Sequence, residues 1–122
     1  ILRLAALLGR RLKKGIVYDI LHDNELYVAL DSRVQFITTD TVADIIKTLL
    51  KKKTSREVFN AGGVGTITPA DVGVLAEKPV RVRDGATLQQ YEMSTEKIRG
   101  VYNTLKTSEE YVKVFLEAKL LV

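Results

Sequence analysis

The residues of this chain best suited to chemistry are a lone histidine, a glycine-rich turn, a Tyr-x-x-x-Lys pair and a set of arginines. His22 stands beside Asp23, and an acid next to an imidazole can orient it toward a nucleophile. Nothing in the sequence places a serine near it, so a surface histidine in a turn is expected. Gly62-Gly63-Val64-Gly65 falls between a predicted strand and a predicted helix, where backbone amides can approach a phosphate. Its spacing is not G-x-G-x-x-G, and no acidic residue ends a second strand about 20 residues on. A strand-ending turn whose glycines relieve crowding is the expectation. Tyr102 and Lys106 are spaced so that, on one helix, the ammonium would lower the phenol pKa for proton transfer. Gly100 interrupts the pattern just before them, and the pair is read as coincidental. Arg3, Arg33, Arg81 and Arg83 could each clamp a carboxylate or phosphate through paired hydrogen bonds. Arg33, in a corner just before a strand, is the best placed.

Composition narrows the chemistry further. Cysteine is absent from the 122 residues, which removes thiolate nucleophiles, disulfides and cysteine-based zinc sites and fits a reducing cytoplasm. One histidine, with no carboxylate pair at helical spacing to it, argues against a metal site. The net charge is +4. Much of it sits in Arg10-Arg11-Lys13-Lys14 and Lys51-Lys52-Lys53. No aromatic residues interleave with these runs, so a solvated loop and helix end are favoured over a nucleic-acid surface. No run approaches the ~18 apolar residues of a membrane helix. The short apolar start, broken by Arg3, does not read as a signal peptide.

The elements that must position these residues have clear signatures. Ile1–Leu8 is a near-continuous apolar run, as expected for a strand buried on both faces of a parallel sheet. Ile16–Leu21 has helical spacing, and Asp23-Asn24 reads as a turn. Glu25–Leu30 and Val34–Thr38 are β-prone runs joined across Asp31-Ser32-Arg33, which suits a hairpin or a tight corner. Phe36 to Gly63 reads as a β-α-β crossover. Its helix is capped by Asp40 or Thr41, with Thr41 and Asp44 at capping-box spacing. Val42, Ile45, Ile46, Leu49 and Leu50 form one apolar stripe, whose full burial would contribute roughly 1.5–3 kcal/mol per side chain.

Glu57–Asn60 is the following strand. Thr68-Pro69-Ala70-Asp71 starts a helix running to about Glu77. Pro79–Val82 is extended and turned by Asp84-Gly85, and Gln89–Met93 is a second extended piece. Ser94-Thr95 opens a short helix. Thr107-Ser108-Glu109-Glu110 is a capping box before a last helix to about Leu120, with Val112, Phe115, Leu116 and Lys119 on its inner face and edge.

These segments resemble the C-terminal part of the extended short-chain dehydrogenase/reductase family, the NAD(P)-dependent epimerase/dehydratase group. Ile1 to Gly9 looks like the family strand with an Arg near its start and a Gly after it. Phe36-Ile37 through Val42-Ala43-Asp44 looks like its Phe-Ile-x-Val-x-Asp-Val-Ala segment. Glu57-Val58-Phe59-Asn60-Ala61-Gly62-Gly63 looks like the strand that commonly ends Tyr-Asn-Ile-Gly. Ser94-Thr95-Glu96-Lys97 and the last helix are similar to the closing segment, more loosely. Ala6 stands where the family often has an Asn that touches a nucleotide sugar. Arg10 replaces a Pro, and Thr41 replaces an Asp. Arg33 lies three residues before Phe36, where the family's clamping Arg lies two before. These departures argue against a nucleotide-sugar substrate and leave a reductase or a non-catalytic member open.

The resemblance implies an α/β fold: the last parallel strands of a Rossmann-like NAD(P)-binding fold plus a small substrate-binding subdomain. Residues 1–9 and 36–63 would complete the nucleotide-domain sheet, and 10–35 and 64–122 would form the substrate-binding subdomain. The glycine fingerprint and the catalytic Tyr-x-x-x-Lys would lie upstream, in a missing N-terminal nucleotide-binding part. The start at Ile1, without a Met and already inside an apolar run, fits that expectation. NAD or NADP would then belong to the parent protein, with no cofactor expected for this chain alone and no activity of its own. Arg33 is the expected contact to a small polar or anionic substrate, with Arg3 and Ala6 lining the mouth. A truncated sheet edge makes a homo-oligomer conceivable. The alternative is a stand-alone, non-catalytic module that binds an acidic partner through the basic clusters.

Overall fold

The structure is a computed structural model that describes residues 1–120; residues 121 and 122 of the expected 64–122 region lie outside the described residues. The N-terminal apolar run forms two short strands, β1 (Leu2–Leu4) and β2 (Ala6–Leu8), broken at Ala5. β2 pairs in parallel with β4 (Phe36–Thr38), and β1 in parallel with β5 (Phe59–Ala61). Helix α2 (Thr39–Lys51) joins β4 to β5, so the expected crossover is present. Its two strands flank different halves of the N-terminal ribbon instead of each other. The Gly63 N–H, just past β5, donates to the Phe36 carbonyl at 2.8 Å and ties the two ends together.

β3 (Leu26–Val28) and β6 (Val82–Thr87) make a third parallel pair. The hairpin considered for residues 25–38 therefore does not form: β3 and β4 have different partners, and Asp31–Arg33 is a corner. Asp84-Gly85 does not turn the chain either. It lies within β6, where the register against β3 shifts, and Gly85 takes φ of 78°. Glycine accepts that left-handed backbone without a Cβ clash. Gln89–Met93 is not a strand, although Gln90 bridges to Arg33.

Helix α1 (Ile16–Leu21) matches its expected range. α3 (Pro69–Ala76) starts as predicted: Thr68 Oγ1 accepts from the Asp71 N–H at 3.1 Å, and Pro69 takes the first turn. α4 (Glu96–Arg99) stops at Gly100. α5 (Ser108–Leu120) opens on the predicted box: Glu110 N–H donates to Thr107 Oγ1 at 3.1 Å and Thr107 N–H to Glu110 Oε1 at 3.2 Å. The cap of α2 differs. Thr38, the last residue of β4, is extended and accepts from the Thr41 N–H at 3.3 Å. The strand runs straight into the helix, so Asp40 and Thr41 lie inside it.

The interior holds two apolar clusters, and β4 divides them. Phe36 joins Leu8, Val17, Ile20, Leu26, Ile67 and Val112 on one side. Ile37 joins Ile45, Phe59, Ala61, Ile98 and Tyr111 on the other. Successive residues of a strand point to opposite faces, so a three-residue strand serves both clusters. α5 also serves both, through Val112, Phe115 and Leu116 on one and Tyr111 on the other.

Two expected burials do not occur. The first strand is not covered on both faces: Leu4 is 41% and Leu7 39% exposed, and only Leu8 is buried. In α2 Ile45 is buried, while Ile46 is 44% and Leu50 71% exposed. The apolar stripe is wider than the core beneath it, so its outer flank adds little to the stability of this chain. The edge of β1 is open as well. Ile1 and Ala5 use their backbone groups toward β5, at 2.9 and 3.0 Å. By strand alternation the groups of Leu2 and Leu4 face the other edge. No strand pairs with them there among the described residues.

Candidate functional site

The segment Ser32–Phe36 is heavily braced. Arg33 N–H donates to the Gln89 carbonyl, and the Arg33 carbonyl accepts from Tyr91 N–H, both at 2.8 Å. Val34 and Ile67 exchange two backbone bonds, at 3.1 and 2.9 Å. Buried Ser32 accepts from Gln89 N–H at 3.0 Å. Gln35, also buried, bonds to Met93 and to the Gly63 carbonyl. This corner is therefore a seam between the 63–67 loop and the 89–93 loop.

On that fixed backbone the Arg33 side chain stays exposed. Its Nη1 lies 3.4 Å from Thr66 Oγ1, and it joins none of the ion pairs formed among the described residues. A guanidinium held at its base, with most donors unspent, can bind a carboxylate or phosphate with two parallel hydrogen bonds. Two of the other candidate clamps, Arg81 and Arg83, are engaged. Arg81 lies 3.6 Å from Glu25 and donates to the Asp23 carbonyl at 3.1 Å. Arg83 stacks over the Tyr27 ring at 5.1 Å. Arg3 is exposed on β1 opposite Asn60, and Ala6 is exposed on β2 opposite Phe36. Arg3, Ala6 and Arg33 line neither the groove at residues 7–12 nor the smaller one beside α3.

Two glycines of the turn, Gly62 and Gly63, are packed against the protein itself. A Cβ on Gly62 would lie 2.9 Å from the Ala5 Cβ, and one on Gly63 would lie 2.5 Å from the Ser108 nitrogen. Crowding, as expected, is the reason for Gly62 and Gly63, whereas Gly65 faces open space and is required by its φ of 72°. His22 closes α1: its Nδ1 lies 2.9 Å from the Tyr18 carbonyl, and its ring stacks on Tyr18. Tyr102 and Lys106 lie outside any helix, so the Tyr-x-x-x-Lys spacing loses its meaning. Among the described residues no group of three His, Asp or Glu side chains could hold a metal ion, and no helix is long and apolar enough to cross a membrane.

Gln35 and Ser108 were not singled out in the sequence. Ser108 Oγ accepts from Phe36 N–H at 3.2 Å and donates to the Gly65 carbonyl at 2.7 Å. The available signal for Gln35 was a lone amide inside the apolar run Val34–Ile37.

No protein-family model matches this chain, and no curated protein matches it by sequence. Solved structures match it by fold. A UDP-galactose 4-epimerase superposes over 99% of this chain with a TM-score of 0.73 at 20% identity. The dTDP-glucose 4,6-dehydratase of Bacillus anthracis, solved in complex with NAD, covers 98% with a TM-score of 0.69 at 18% identity. The UDP-glucose 4-epimerase of Thermotoga maritima, solved with UDP-glucose, covers 99% with a TM-score of 0.65 at 19% identity. This chain spans only 46%, 44% and 46% of those proteins. At these identities the likeness is one of fold: a mixed α/β, partial Rossmann-like arrangement shared with NAD-dependent epimerases and dehydratases.

Proposed function

We propose that this chain is the substrate-binding C-terminal region of an NAD(P)-dependent sugar or polyol epimerase, dehydratase or reductase, and that it has no activity by itself. The uncovered edge of β1 and outer flank of α2 carry the reading. β1 presents an open edge with Leu4 exposed, and α2 presents Ile46 and Leu50 to water. Elements of this apolar character in this fold are built to be covered, and the solved structures that share the fold are more than twice as long. An N-terminal nucleotide-binding part would cover them. Residues 1–9 and 36–63 would then complete its sheet, with 10–35 and 64–122 forming the substrate side. A cytoplasmic setting goes with this reading.

NAD or NADP would be held by that other part, because the glycine turn here lacks the G-x-G-x-x-G spacing and Gly62 and Gly63 are packed against the chain. The contribution of this chain is to bind and orient the substrate. Arg33 holds an anionic group on the substrate, and its braced backbone fixes where that group sits. Arg3 and Ala6 line the mouth. Two dehydratase and epimerase relatives in fold were solved with NAD, one of them together with a UDP-sugar acid, which supports an anionic substrate.

The test uses the product of the whole reading frame. Replacing Arg33 with Ala should raise KM about tenfold or more with a smaller change in kcat, as loss of one charged substrate contact implies. Arg33→Lys should restore part of it. An unchanged KM in both variants removes Arg33 from the substrate site.

A further inference from the structure

We infer that the groove beside Arg10 and Arg11 binds an anionic amphiphile, a small molecule with an apolar body and an acidic end group. The groove has a volume of about 1240 Å³, ample for a drug-sized ligand. Its walls come from two elements far apart in sequence. Leu7 and Leu12 line one side, and Val114, Phe115 and Ala118 of α5 line the other. Leu7 and Val114 are 39% and 41% exposed, so the walls present apolar surface to water.

The rim is cationic. Arg10, Arg11 and Lys119 stand around it against one carboxylate, Asp40. None of the three cations forms an ion pair among the described residues. The backbone that carries Arg10 and Arg11 is held in place. Leu12 N–H donates to the Gly9 carbonyl at 3.1 Å, which puts Arg10 and Arg11 on the tip of a turn. Gly9 is pressed against the first residue of α2: a Cβ there would lie 2.8 Å from Thr39 Oγ1. The Lys119 ammonium rests 5.6 Å from the Phe115 ring centre, at the groove wall. An apolar body would cover the Leu7 and Val114 surface while its acidic end meets the arginines. Neither half of such a ligand gains both interactions alone.

The test is titration of the 122-residue chain with 8-anilinonaphthalene-1-sulfonate, followed by fluorescence and by amide NMR shifts. One saturable site is expected, with shifts confined to residues 7–12, 38–40 and 114–119. The uncharged parent amine should bind about tenfold more weakly, and raising salt from about 0.05 to 0.5 M should weaken the sulfonate through screening. Arg10→Gln with Arg11→Gln, both at exposed positions, should weaken the sulfonate by about tenfold and leave the uncharged probe unchanged. Ala118→Trp should block both probes by filling the groove. Leu50→Gln, far from the rim in sequence and on another exposed patch, should change neither. Shifts centred on α2 or β1, equal affinity for the two probes, insensitivity to the arginine pair, or no saturable binding would each overturn the proposal.

Discussion

Gln35 and Met93 are joined by a closed ring of two hydrogen bonds. Met93 N–H donates to Gln35 Oε1 at 2.7 Å, and Gln35 Nε2 donates back to the Met93 carbonyl at 3.1 Å. The same Nε2 donates to the Gly63 carbonyl at 3.1 Å. One buried amide thus replaces a strand partner and holds both loops that flank Arg33. Gln35→Leu keeps the volume and removes all three bonds. Each group left buried and unpaired costs roughly 1–3 kcal/mol. Urea unfolding should show that loss, and amide exchange should quicken over residues 89–93. An unchanged midpoint would mean that water replaces the amide.

Gly63 and Gly85 separate two reasons for glycine. At Gly63 an added Cβ meets backbone, 2.5 Å from Ser108 N and 2.6 Å from the Phe36 carbonyl, and backbone cannot swing aside. Gly63→Ala should cost about 1–3 kcal/mol or more. At Gly85 the space is open and only the φ of 78° resists a side chain, so Gly85→Ala should cost about 1–2 kcal/mol. Thermal melts of the two variants should rank in that order. A Gly63→Ala protein as stable as the parent contradicts the close packing of β4 on α5.

The two flanks of α2 should respond differently. Ile45→Ala empties a fully buried position and should cost about 2–5 kcal/mol. Leu50→Gln, at a residue 71% exposed, should change stability by about 0.5 kcal/mol or less. It should also reduce any self-association of the chain, as read by sedimentation velocity. If an N-terminal part covers this face as proposed, the same Leu50→Gln should be destabilising in the longer protein.

Acid stability should carry a signature of two exposed carboxylates. Lys97 hydrogen-bonds to Glu57 and attracts it electrostatically, holding its pKa below the usual 4.5. The Thr107 backbone and hydroxyl do the same for Glu110 within the α5 cap. Both are lowered in the folded chain, so each contributes stability that is present above pH 4.5 and lost as pH falls through the folded pKa. Lys97→Met should flatten the part of the pH profile due to Glu57. A profile identical to the parent's below pH 4.5 contradicts that pairing.

Local signals were legible in the sequence where they act within one turn of chain. Thr68-Pro69 and the Thr107–Glu110 box start their helices as read. The crossover through α2 was legible too, from its period and its terminal glycines. Pairing partners were not. Nothing within Glu25–Leu30 says that its partner is β6, over 50 residues away, and not the adjacent run. Thr38 was hidden as a cap because it also ends a strand. Leu4 and Leu50 show the deeper limit: apolar residues mark a face that must be covered, and say nothing about whether the cover lies in the same chain. Arg33 was proposed from residue type and corner position. The bracing around it was not legible, because Gln35 ties in Met93 across 58 residues.

The most direct measurement is a calorimetric titration of NAD and NADP into two proteins, the 122-residue chain and the product of the entire reading frame that contains it. No binding heat is predicted for the chain, which lacks the G-x-G-x-x-G spacing and whose Gly62 and Gly63 are packed against Ala5 and Ser108, and saturable binding of one dinucleotide is predicted for the longer product. Saturable binding or turnover by the 122-residue chain alone would contradict the assignment.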